Sequence, residues 1–127
     1  MLVLNYGKSD FRLVLAHYHL GEAYLGFECI EQAIEHLSLS LHKIEKLTPE
    51  VAKAELVQVS IMITLAEAFM AQPSFDDALD TLNKAEDREE KYNQQVRNNH
   101  KDNRETVRNV KILVLKAQCY SKQRHFQ

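Results

Sequence analysis

The sequence predicts an all-α fold: a solenoid of about five helices in antiparallel pairs, with the last pair incomplete. Three observations carry this. Only three glycines and two prolines interrupt 127 residues, too few to turn a succession of β-hairpins. Apolar residues recur at the three-and-four spacing of amphipathic helices. One pattern of small and aromatic residues also returns along the chain at matching intervals.

The first helix is expected from Phe11 to Gly26, with Asp10 as its N-cap. The second runs from Ile30 to Leu47, where Ala33, Ile34, Leu37, Leu41 and Ile44 form one apolar stripe, and Thr48-Pro49 ends it. The third, from Pro49 to Met70, is apolar nearly all round through VQVSIMITLAEAF, so it should be buried on more than one side. Pro73-Ser74 turns the chain into a fourth helix, which begins at Phe75, passes Val96 and ends in NNHKDN. The fifth starts near Arg104 and carries VRNVKILVLKAQCY toward the end.

The repeat is the most informative feature. Leu20-Gly21-Glu22-Ala23-Tyr24 is followed by Ile30 six residues after the tyrosine, by Ala33-Ile34 ten after Ala23, and by Ser40 seven after Ala33. Leu65-Ala66-Glu67-Ala68-Phe69 keeps every interval, with Phe75, Ala78-Leu79 and Ala85. A third start, Ala117-Gln118-Cys119-Tyr120, again places an aromatic, Phe126, six residues on. Small residues at these places let two helices approach closely while the aromatic fills the space between them.

This pattern resembles the tetratricopeptide repeat. The resemblance implies a right-handed superhelix of helix pairs whose inner face binds segments of other proteins. The spacing is longer than usual: 45 residues separate Tyr24 from Phe69 and 51 separate Phe69 from Tyr120, against about 34 in the common repeat. Lengthened helices take up the difference. The units are read as 11 to 47, 50 to 97, and a lone first helix from 104 to 123, which makes the chain one domain and a piece of a longer solenoid. Tyr6-Gly7, Ser9, Phe11-Arg12-Leu13, Ala16-His17, Leu20 and Tyr24-Leu25, then Phe75, Ala78, Leu82 and Lys84-Ala85-Glu86, are similar to the tetratricopeptide repeat protein 23 subfamily. That resemblance implies a non-enzymatic scaffold associated with cilia.

Charge and spacing exclude several functions. A net charge of −2 offers no basic field for nucleic acid. No run reaches the roughly 20 apolar residues that cross a bilayer. Cys29 and Cys119 form no CxxC, and MLVLNYGKSD is too short and mixed for a signal peptide, so a reducing, cytoplasmic setting is expected. His17 and His19 lie about 200° apart on a helix and cannot share a metal; His17 reads as a packed histidine at a helix crossing. His36, His42, His100 and His125 show no metal-ligand spacing. Gly7, Gly21 and Gly26 make no phosphate loop, and Tyr24 has no nucleophile and base beside it. No catalytic residue, metal ligand or cofactor is assigned.

The candidate site is a groove on the first helices of successive units. It comprises Leu15, Tyr18, His19, Glu22 and Leu25, then Ser60, Ile63, Thr64, Glu67 and Met70, and finally Lys111, Val114 and Gln118. Such a mostly apolar surface with acidic spots suits a helix or extended peptide carrying apolar anchors and a basic residue. Repeats that hold a peptide carboxylate need cationic donors; the matching places are Tyr18, Glu22, Thr64, Lys111 and Leu115, where only Lys111 serves.

Two further surfaces stand out. Leu82, Ala85, Glu89, Tyr92 and Val96 form a thin seam in a charged helix, readable as a projecting arm or as a solvated outer face. VKILVLKAQCY lacks a covering helix, so self-association through the last helix is expected. The functional expectation is an interaction scaffold for another protein, in a cytoplasmic or cilium-associated assembly. The alternative is a regulatory or targeting domain of an enzyme whose catalytic part lies elsewhere.

Overall fold

The computed structural model describes residues 2–46, 52–96 and 103–126, with side chains at 11–46, 57–91 and 110–123. Among the described residues the regular structure is all α-helical, in five helices: α1 (Leu2–Gly26), α2 (Ile30–Glu45), α3 (Ala52–Ala71), α4 (Phe75–Val96) and α5 (Asn103–Phe126). Each helix packs mainly on the next along the chain, and α3 also touches α1 on one side and α5 on the other.

One boundary differs clearly from expectation. Helix α1 starts at Leu2 and runs through position 10, so Asp10 lies inside the helix and is not its N-cap. Helix α2 ends at Glu45 and α5 begins at Asn103. The Thr48-Pro49 stop and the NNHKDN tract lie largely outside the described residues.

The end of α1 shows how the chain turns. Gly26 is still helical; the left-handed residue is Glu28, at φ 64°. There the Cys29 N–H donates to the Tyr24 carbonyl at 2.8 Å and the Glu28 N–H to that of Leu25 at 3.1 Å, which satisfies two orphan carbonyls. The end of α3 repeats the longer bond, with Ser74 N–H donating to Phe69 O at 2.8 Å. Both following helices then open alike, Ala33 N–H on Cys29 O and Ala78 N–H on Ser74 O, each at 3.0 Å. The two helical pairs therefore turn on equivalent residues, as the sequence intervals require.

Burial follows the same 45-residue offset. Val14 and Val59, Gly21 and Ala66, Ala33 and Ala78, Leu37 and Leu82, and Ser40 and Ala85 are all buried. Gly21 is small for a reason: a Cβ there would sit 2.5 Å from Leu37 Cγ. The offset also sets Glu89 where the first pair has Ile44, and both are buried. On α5 the matching positions are Val110 and Ala117, which are exposed because no second helix covers them among the described residues.

The core is continuous across the array. Val14, Ile44 and Ile61 join α1, α2 and α3; Ala33, Leu37, Leu65 and Ala68 join α2 to α3. A larger cluster from Val59 to Cys119 joins α3, α4 and α5. Helix α3 is accordingly buried on several sides, which is why its polar residues there are confined to a narrow strip of Ser60, Thr64 and Glu67. Helix α4 is no projecting arm as far as Lys91: Leu82, Ala85 and Glu89 are fully buried, and Lys116 of α5 donates to Glu86 at 3.0 Å.

Candidate functional site

Helices α1, α3 and α5 share one face, and the polar side chains expected on it do meet there. Tyr18 of α1, half-buried, lies close enough to the Thr64 side chain of α3 for Thr64 to act on its phenol. Burial pushes the Tyr18 phenol above its ordinary value, against the opposing pull of Thr64; Glu22, Glu67 and Lys111 all lie close enough to contribute. Thr64 also donates to Ser60 O at 3.0 Å, one turn back. Glu67 then pairs with Lys111 of α5 at 3.2 Å, and Glu22 meets His19 Nδ1 at 3.1 Å. The acidic groups on this face are thus already engaged within the protein. They are exposed pairs of small intrinsic strength, available for exchange with a ligand's charge.

Several expected groove residues lie elsewhere. Ile63 and Met70 are buried, at 5% and 8% exposure, and belong to the α3–α4–α5 core; the apolar run of α3 made them look available, but α4 and α5 cover them. Leu115 is buried in the same cluster. Leu25 packs toward Ala33, Leu37, Leu65 and Ala68. Leu15 and Ser60 are half-buried, while Val114 and Gln118 are exposed on α5. The surface is a narrow polar strip from His19 to Lys111 with Val114 as its exposed apolar member, in place of a broad apolar trough.

Two groupings were not legible as sites. His17 and His36 approach with Nδ1 atoms 3.1 Å apart and rings stacked at 5.3 Å, and Tyr24 stacks on His36 at 5.4 Å with planes 10° apart. The His–His bond needs one nitrogen protonated and the other bare. Burial, with His36 and Lys43 nearby, lowers the His17 value below 6.5. The bland reading of His17 as a packed residue is what the geometry shows, although its partner across the crossing could not be named from spacing alone. The second grouping is an open cavity of about 420 Å³ between α2, α3 and α4, lined by Glu45, Met62, Lys84, Asp87, Arg88 and Lys91. It mixes both charge signs and converges on no nucleophile, and only the charge density of α4 hinted at it.

Among the described residues, no cluster of three or more histidine, cysteine, aspartate or glutamate side chains could hold a metal, and no helix is long and apolar enough to cross a membrane. Burial pushes the Cys119 thiol above its ordinary value, which keeps it in the less nucleophilic form. No protein-family model, no curated protein and no solved structure matches the chain.

Proposed function

We propose that the chain is a non-enzymatic interaction scaffold of the tetratricopeptide type, whose α1–α3–α5 face binds a helical or extended segment of another protein. The observation that carries the reading is the gathering of Tyr18 of α1, Thr64 and Glu67 of α3 and Lys111 of α5 near one another, with Glu67 and Lys111 paired across helices at 3.2 Å. Two helical pairs with equivalent turns and equivalent buried positions support the repeat reading. The cilium-associated assembly is supported by the sequence resemblance only. A ligand cation would compete with Lys111 for Glu67, and an apolar anchor beside it would cover Val114, so the preferred segment is amphipathic and basic.

The test is selection from a displayed library of amphipathic peptides, using the wild type and a Glu67→Lys, Val114→Arg variant in parallel. Both positions are partly or fully exposed, so the variant should keep its helicity. Basic, apolar-anchored peptides retained by the wild type and lost by the variant are expected. A variant that retains the same peptides as the wild type refutes this surface. Ile63→Arg is unsuitable for the purpose, since it would place a charge in the core.

A further inference from the structure

His36 of α2 touches two rings of α1. Its Nδ1 lies 3.1 Å from that of His17, and Tyr24 stacks on it with planes 10° apart. His17, Gly21 and Tyr24 follow one another at spacings of four and three, so they share one stripe of α1. His36, which meets the first and the last of them, therefore straddles the turn where Gly21 admits Leu37. That crossing has no slack, since a single added methyl at Gly21 would overlap Leu37. The second pair has Met62, Phe69 and Thr81 at the matching positions, so the titratable column belongs to the α1–α2 crossing and not to the repeat.

We propose that the His17–His36–Tyr24 column is a pH-sensitive latch: it holds while one Nδ1 of the histidine pair is bare, and it opens, with Tyr24 unstacking from His36, when both Nδ1 atoms are protonated. The proton inventory sets this order. In the neutral pair one ring donates from Nδ1 and the other accepts there. The first added proton goes to the free Nε2 of the donating ring, so the bond survives and becomes charge-assisted. On His36 that charge also faces the Tyr24 ring, a cation–π contact. The second proton has only the accepting Nδ1 left. It removes the acceptor and sets two imidazolium N–H groups against each other.

The surroundings favour opening at that point. Lys43 of α2 is the other charged group that acts on His17, and among the described residues no carboxylate and no group of α3 offsets it. Burial and these neighbouring charges hold the His17 value below its ordinary one, the direction the latch requires. The core beside His36 is filled by Leu37, fully buried, whereas His17, His36 and Tyr24 are each only half-buried. The His36 ring therefore moves outward, toward solvent, and leaves Tyr24.

Nuclear magnetic resonance of the full chain, following the ring signals of His17, His36 and Tyr24 from neutral to acidic pH, tests the proposal. The pair should take up protons in two steps, the second at least about tenfold less readily than the first. The Tyr24 signal should move with the second step only, while far-UV circular dichroism stays helical. His17→Gln keeps a hydrogen-bonding partner for His36 but carries no charge, so Tyr24 should stay stacked throughout. Lys43→Gln leaves all three rings in place and should let the second proton bind a few-fold more readily. A Tyr24 signal that moves with the first proton, that moves equally in His17→Gln, or that stays fixed until the helices unfold would each overturn the proposal.

Discussion

Gly21→Ala separates helix propensity from packing, because the two effects have opposite signs at this position. In an open helix the change should add up to about 1 kcal/mol, since alanine gives up less backbone freedom than glycine. Here the new methyl would lie 2.5 Å from Leu37 Cγ, 2.7 Å from its Cδ2 and 3.4 Å from Ala33 O. Carbon atoms normally rest about 3.5–4.0 Å apart. Leu37 is fully buried, so it cannot swing aside into solvent, and α2 must move back. Overpacking of this kind costs about 1–3 kcal/mol, which outweighs the propensity gain and leaves a net loss of about 1–2 kcal/mol. For a domain of this size that lowers Tm by roughly 4–8 °C. The assay is urea unfolding followed by far-UV circular dichroism, with Leu37→Ala and the double variant completing a cycle. Leu37→Ala alone should lose about 2–5 kcal/mol through its cavity. In the double variant the added methyl fills part of that cavity, so the two losses should fall short of additive by about 1–2 kcal/mol. A Gly21→Ala protein with a raised midpoint would refute the close α1–α2 approach.

Three other outcomes follow from single contacts. Ser40 Oγ, fully buried, donates to Val14 O at 2.7 Å, and Ser40→Ala should lose about 1 kcal/mol in the same unfolding assay, a modest figure because the second pair already carries Ala85 at that position. Gln58 is buried with its Nε2 unpartnered among the described residues, so Gln58→Leu should raise stability by about 1–2 kcal/mol, and a fall in midpoint would show that the amide is paired. His17 titrates below 6.5 in the folded chain, so the unfolded chain binds more protons and the His17 contribution, intact above pH 6.5, is lost as pH falls through the lowered folded value. Stability measured from neutral to acidic pH should drop more steeply for the wild type than for His17→Gln. Parallel curves would show that the His17–His36 contact is not coupled to folding.

The helices and the pairing positions were readable because they depend on local rules. Small residues at 21, 33, 66 and 78 and large ones at 37 and 82 mark where two helices touch, whatever surrounds them, and each of these positions is buried. The seam on α4 was readable for the same reason, even at Glu89, where three-and-four spacing outranked polarity. The start of α1 was not, because Asp10 reads as a cap only if nothing helical precedes it. The end of α1 at Gly26 was readable, although the left-handed position that turns the chain falls two residues later, on Glu28.

Exposure was the least readable property, and the reason lies in the repeat itself. A first helix of a unit has the same intervals whether it stands at an edge or in the middle, so one pattern describes α1 and α3. Burial is decided by neighbours: α3 is covered by α4 and α5 and loses Ile63 and Met70 to the core, whereas Leu13 and Leu20 of α1 and Phe27 just beyond its end stay in solvent. A groove assigned by repeat position alone therefore counts middle-helix residues as available and overlooks edge-helix residues that are. The polar strip is less sensitive to this error, because the Glu67–Lys111 pair and the nearness of both to Tyr18 require a shared face in a way that a sequence interval does not.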